Sequence, residues 1–188
     1  IDGGALGVEG GGAEDMGALP DAGGGIVASR AGAQSSLGQP RAVTGPIQAV
    51  GDSILGWNKE MSGSIPDVVG RELRVMSTNN AVGGSTILGS DGIPEQYVSG
   101  SFSHVLMNGG GNDFAIPEAC TMEVVDRMVS ADLSSGRMVD LINRVSAEGA
   151  QAVLVGYYLP RDGDIGCPLI VEVMNRYRRL AETREDTV

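Results

Sequence analysis

From position 46 onward, short apolar runs alternate with amphipathic stretches, a pattern that predicts βαβ units. Ile47–Val50 reads as a first buried strand. Ile65–Leu73 reads as a helix, with Pro66 admissible in its first turn and Val68, Val69 and Leu73 on one side. Arg74–Met76 reads as a second strand, reaching Val82 at most, and His104–Met107 as a third. Glu123 to Ala147 carries one long helical pattern, with Ser134-Ser135-Gly136 as its expected breaking point. Ala152–Val155 is a fourth strand, apolar throughout as expected in the middle of a covered parallel sheet. Pro168–Arg184 is a final helix, and Thr187-Val188 after it looks like the opening of a fifth strand, so the chain is expected to be cut short of the last one. Right-handed crossovers join such units into a doubly wound parallel sheet, an α/β, flavodoxin-like, three-layer fold with its functional loops at the carboxyl ends of the strands.

Residues 1–45 break this pattern. They hold no aromatic residue and no sustained period, and Gly10-Gly11-Gly12 and Gly23-Gly24-Gly25 carry a backbone entropy cost that nothing local offsets. They are expected to form a flexible, glycine-rich N-terminal extension, with the α/β domain in 46–188. The chain opens on Ile1, as a processed or trimmed product would.

Composition narrows the function. At 188 residues and 41% hydrophobic, the chain supports one core. Aromatics at 4% argue against a stacking platform for bases or sugars. A formal net charge of −11 argues against nucleic acid and against an anionic membrane surface. No apolar run approaches the ~20 residues of a membrane span. The two cysteines, Cys120 and Cys167, sit in no CxxC and no Cys/His cluster, so no zinc or other metal site is expected. Each should lie in a loop following a strand. They are either free thiols or one disulfide, and the second case implies an exported protein.

Candidate chemistry lies at the strand ends. Gly51-Asp52-Ser53-Ile54 follows the first strand, where α/β enzymes often place a nucleophile, although Asp-Ser is also a common helix cap. Asn79-Asn80-Ala81-Val82-Gly83-Gly84-Ser85-Thr86 and Gly109-Gly110-Gly111-Asn112-Asp113-Phe114 follow the second and third strands. A backbone N–H beside a glycine and an asparagine amide are suitable donors to a developing oxyanion. Trp57 and Phe114 are candidates for an acyl pocket or for packing, and Ser85 is a weaker nucleophile candidate lacking the Gly-Asp context. The glycine cluster matches neither a GxGxxG helix start nor a Walker loop. Asp162-Gly163-Asp164 has too few ligands for a calcium loop.

These three blocks, in this order and spacing, resemble the first three sequence blocks of the GDSL, or SGNH, hydrolases, over about Ile47 to Val188. The resemblance implies hydrolysis of esters, including short acyl esters and carbohydrate acetates, without a metal or organic cofactor. It assigns the nucleophile to Ser53 and the oxyanion donors to Ser53, Gly84 and Asn112, with Asp52 and Asp113 in supporting roles. Two departures stand out: Gly56 comes earlier than the family's corresponding glycine, and no Asp-x-x-His block is present to supply the base and its carboxylate. The only histidine, His104, precedes Val105-Leu106-Met107 and is expected at the amino end of the third strand, away from the site. The resemblance therefore implies an exported serine esterase acting on a small-molecule or glycan ester, with its base beyond Val188. The competing expectations are a catalytically inactive relative that binds such a ligand and a flavodoxin-like domain that binds an anion or nucleotide.

Overall fold

The computed structural model describes residues 40–158 and 166–188, all within one compact unit. Most of the predicted N-terminal extension (1–39) and the Asp162-Gly163-Asp164 stretch lie outside the described residues.

Four strands, β1 (Ile47–Val50), β2 (Ser77–Asn79), β3 (His104–Met107) and β4 (Gln151–Leu154), form a wholly parallel sheet in the order β2-β1-β3-β4. In register, Ile47 lies beside His104 and His104 beside Gln151, so all three strands start level. Side chains alternate between two faces, and each face has its own core. Ile47, Ala49 and Leu106 pack with Leu55, Ala81 and Val69, from the side of α1 (Ser53–Gly56) and α2 (Ile65–Leu73). Val50, Val105, Met107 and Ala152 pack beneath α3 (Met122–Met128), α4 (Arg137–Ala147) and α5 (Leu169–Thr183). Helices thus cover both faces, the three-layer α/β arrangement predicted from the run lengths.

Beyond β4, Thr187 bridges Ala152 in parallel, and Val188 donates to the Ala152 carbonyl at 2.9 Å while Leu154 donates to the Val188 carbonyl at 2.8 Å. The expected fifth-strand opening is therefore in the sheet.

Two boundaries differ from expectation. The second strand does not begin at Arg74, because Arg74 terminates α2 in the left-handed region at φ 56°, and pairing with β1 starts at Ser77. The long helix is two helices separated by Val129–Gly136. Thr121 caps the first by accepting from the Val124 N–H, and Gly136 enters the second at φ 118°, where a side chain is strained.

Candidate active site

Strand order reverses between β1 and β3, since β2 lies on one side of this pair and β4 on the other. In doubly wound sheets ligands bind outside the carboxyl ends at such a switch point. The loop carrying Ser53 leaves β1 there, and the loop carrying Asn112 leaves β3 there.

Gly51 is buried where the two loops cross, and a Cβ on it would overlap the Asn108 amide. Asp52 is 2% exposed and caps α1 by accepting from the Ile54 N–H at 2.9 Å. Its carboxylate also accepts from Asn108 Nδ2 at 2.7 Å, while Asn108 Oδ1 accepts the Asp52 N–H at 3.2 Å. The reciprocal pair fixes the β1 turn to the end of β3. Ser53, the next residue, is exposed. A buried acid thus holds an exposed hydroxyl at the first position of a one-turn helix.

The second and third blocks meet beside it. A Cβ on Gly83 would stand 3.8 Å from Ser53 Cβ, and Asn112 Nδ2 donates to the Ser85 carbonyl at 2.9 Å. Gly84 sits between these anchors at φ 81°, a conformation that disfavours any side chain. Asp113 accepts the Ile87 and Leu88 N–H groups at 2.8 and 2.9 Å, clamping the block-three loop to the segment after block two. Burial raises the Asp113 carboxyl above its ordinary value, against the pull of these two N–H bonds. Among the described residues neither the Ser53 N–H nor the Gly84 N–H has a hydrogen-bond partner. One Asn112 amide hydrogen goes to Ser85, which leaves the other uncommitted.

Sequence reasoning missed three polar residues that build this site. Asn108 is one. Tyr157, just past β4, donates its hydroxyl to Asp52 Oδ2 and accepts the Gly111 N–H at 3.0 Å, so it ties block one to block three. Burial and then the Asp52 charge push the Tyr157 phenol well above its ordinary value, so it remains a donor at any working pH. Gln96 brackets the β1 turn, accepting the Gly51 N–H at 2.7 Å and donating to the Gly51 carbonyl at 3.0 Å; its amide also reaches Ser85 Oγ at 3.0 Å. Only pairing across the sheet reveals these roles. Asn108 directly precedes the Gly109-Gly110-Gly111 cluster, and that adjacency is the one sequence signal pointing to any of the three.

Cys120 and Cys167 form a disulfide. It joins the loop after β3 to the segment entering α5, so of the two open alternatives the bonded pair is the one present.

His104 opens β3 at its amino end, 4% exposed, with Nδ1 at 3.1 Å from Ser103 Oγ. The four residues of β3, at about 3.3 Å each, separate it from the glycine loop. Burial lowers its pKa. Among the described residues no imidazole is near Ser53, and no His/Cys/Asp/Glu group could hold a metal ion.

The chain superposes on the crystal structure of TesA with a TM-score of 0.52 and 21% identity, over 72% of either chain. It superposes on a protein assigned to the G-D-S-L lipolytic family, from Desulfitobacterium hafniense DCB-2, with a TM-score of 0.53 and 14% identity, over 73% of this chain and 74% of the other. The fold is that of the GDSL/SGNH hydrolases. No protein-family model and no curated protein matches the sequence. In this SGNH-type fold the three blocks stand at the ends of β1, β2 and β3, and they meet on one edge of the sheet. Among the described residues no helix is long and apolar enough to cross a membrane.

Proposed function

We propose that the protein is a serine ester hydrolase of the GDSL/SGNH type working through an acyl-enzyme on Ser53. One observation carries this: an exposed serine hydroxyl stands at the switch point beside two backbone N–H groups and one amide hydrogen that have no partner among the described residues. Ser53 Oγ attacks the ester carbonyl carbon while its proton passes to a general base. The carbonyl oxygen takes up the negative charge and is received by the N–H groups of Ser53 and Gly84 and by Asn112 Nδ2. Collapse of the tetrahedral intermediate expels the alcohol, which takes the proton back, and leaves the acyl group on Oγ. Water repeats the sequence and releases the acid.

Asp52, Asn108 and Tyr157 hold Ser53 in place, and Asp113 holds the loop of Asn112. By the family resemblance, the base is the histidine of an Asp-x-x-His segment, and the 188 residues hold no such segment. The Cys120–Cys167 disulfide supports an exported location.

The test is hydrolysis of p-nitrophenyl acetate by the encoded protein and its Ser53→Ala variant. Wild-type turnover that falls roughly 10⁴-fold or more in the variant is expected. A second reading, a non-catalytic relative that binds an ester ligand, is favoured by the lack of an imidazole near Ser53 among the described residues. Turnover indistinguishable from the variant's, with an acylated ligand still bound, would select it.

A further inference from the structure

Beside Ser53 opens a cleft of about 480 Å³ lined by Ser53, Ile54, Trp57, Gly63, Ile65 and Tyr158. Its volume is within the range of small-molecule sites, about 300–1,000 Å³. Trp57 is 76% exposed, Tyr158 78% and Ile65 45%. Three large apolar side chains left this far in water beside a nucleophile form a patch that asks for a ligand.

Local structure explains how Trp57 gets there. Trp57 is the C-cap of α1, four residues after Ser53, and its N–H donates to the Ser53 carbonyl at 2.9 Å, which brings it back beside the serine. The loop beyond it is fixed. Asn58 and Ser62 are left-handed at φ 64° and 52°, the Gly63 N–H donates to the Asn58 carbonyl at 3.1 Å, and Lys59 Nζ donates to the Ala81 carbonyl at 2.7 Å. Ile65 begins α2 under a capping box formed by Ser64 and Asp67. The indole and the isoleucine are thus presented by anchored backbone on either side of one turn.

We infer that this cleft takes the aliphatic acyl chain of the ester, and that Trp57 and Ile65 set the preferred chain length. The inference rests on the ester-hydrolase assignment above. The lining decides against a sugar. Among the described residues, and apart from the reactive hydroxyl of Ser53, its polar side-chain groups are the phenol of Tyr158 and the indole N–H of Trp57, both carried on large apolar rings, whereas a sugar ring needs several directed hydrogen bonds. The acyl group is the part that stays bonded to Ser53 Oγ through both halves of the reaction, and Ser53 is itself in the cleft wall. A chain that starts at that oxygen has apolar surface to follow from its first methylenes.

Trp57 is the only tryptophan in the chain, so its emission reports cleft occupancy without any need for turnover. Unbranched methyl ketones of increasing length are suitable probes: they carry a carbonyl and no charge, and the net charge of −11 does not repel them. Titrated into the full chain below their aggregation limits, they should shift Trp57 emission to the blue. Affinity should rise about two- to fourfold per added methylene until the cleft is full. Ser53→Ala should keep this response, and Ile65→Ser should flatten the dependence on length. Rates for a p-nitrophenyl ester series should rise with acyl length and lose that rise in Ile65→Ser.

The outcomes separate the two claims. Ser53-dependent hydrolysis with no fluorescence response and no dependence on acyl length overturns the acyl cleft and leaves the hydrolase intact. A response to acetylated oligosaccharides and none to the ketones also overturns it. Steep ketone binding without Ser53-dependent hydrolysis upholds the apolar cleft and overturns the hydrolase.

Discussion

The two ends of the sheet both hold networks of polar side chains and use them differently. At the amino end, Gln48 both donates to the Val98 carbonyl (3.0 Å) and accepts its N–H (3.2 Å). Gln151 accepts the Arg41 N–H at 2.9 Å and donates to the Glu185 carbonyl at 3.3 Å, and His104 meets Ser103 Oγ. These groups satisfy one another and knit the strand starts to neighbouring segments. At the carboxyl end, Asp52, Asn108, Tyr157, Gln96 and Asp113 are just as fully engaged, but among the described residues the groups they hold in place have no partner: the hydroxyl of Ser53 and the N–H groups of Ser53 and Gly84. A buried polar group without a partner is costly, so closed networks are what a structural role looks like. Donors left free at a solvent-facing edge, on a rigid frame, are what catalysis uses.

Substitutions on each side should break the comparison in different ways. Asn112→Ala removes a proposed oxyanion donor, and kcat should fall by about 10²–10³-fold with KM little changed. A fall carried by KM alone would move Asn112 from the transition state to ground-state binding. Tyr157→Phe strips Asp52 of a donor and Gly111 of an acceptor. Urea unfolding should show a loss of about 1–3 kcal/mol, with a lower kcat in the protein that remains folded. Unchanged stability would mean that the β1 and β3 loops are held together without this bridge.

His104→Gln should leave ester turnover per folded molecule unchanged, whatever it does to stability. The fold keeps the imidazole neutral, because burial lowers its pKa. As pH falls below the unfolded value of about 6.5, the unfolded state takes up a proton first, so stability drops until the folded pKa is reached. Denaturation between pH 7 and 5 should show that part of the acid-side slope disappear in His104→Gln. An altered pH-rate profile in place of an altered stability profile would put His104 in the chemistry.

The sheet was legible because parallel, doubly covered strands leave largely apolar runs: Ile47–Val50 and His104–Met107 are strands as expected, and Ala152–Val155 overlaps the observed Gln151–Leu154 with a shift of one residue. The three blocks were legible because glycine and asparagine mark backbone that approaches another chain segment closely. β2 was misplaced because Ser77–Asn79 has no hydrophobic signature; its place comes from pairing with Ile47–Ala49. The helix break was wider than Ser134-Ser135-Gly136 because α3 already ends where Val129 turns extended at φ −149°, and α4 starts only after Gly136. Tyr157 and Gln96 gave no signal at all. Their partners, Asp52, Gly111 and Gly51, lie 45 or more residues away along the chain.

The central claim is that Ser53 is the nucleophile. Its most direct test is labelling of the encoded protein with a fluorophosphonate probe, followed by peptide mapping, beside the Ser53→Ala variant. A single adduct on Ser53 is expected, absent from the variant and formed much more slowly in Asn112→Ala. Equal labelling of wild type and Ser53→Ala, or an adduct mapped to Ser85, would contradict it.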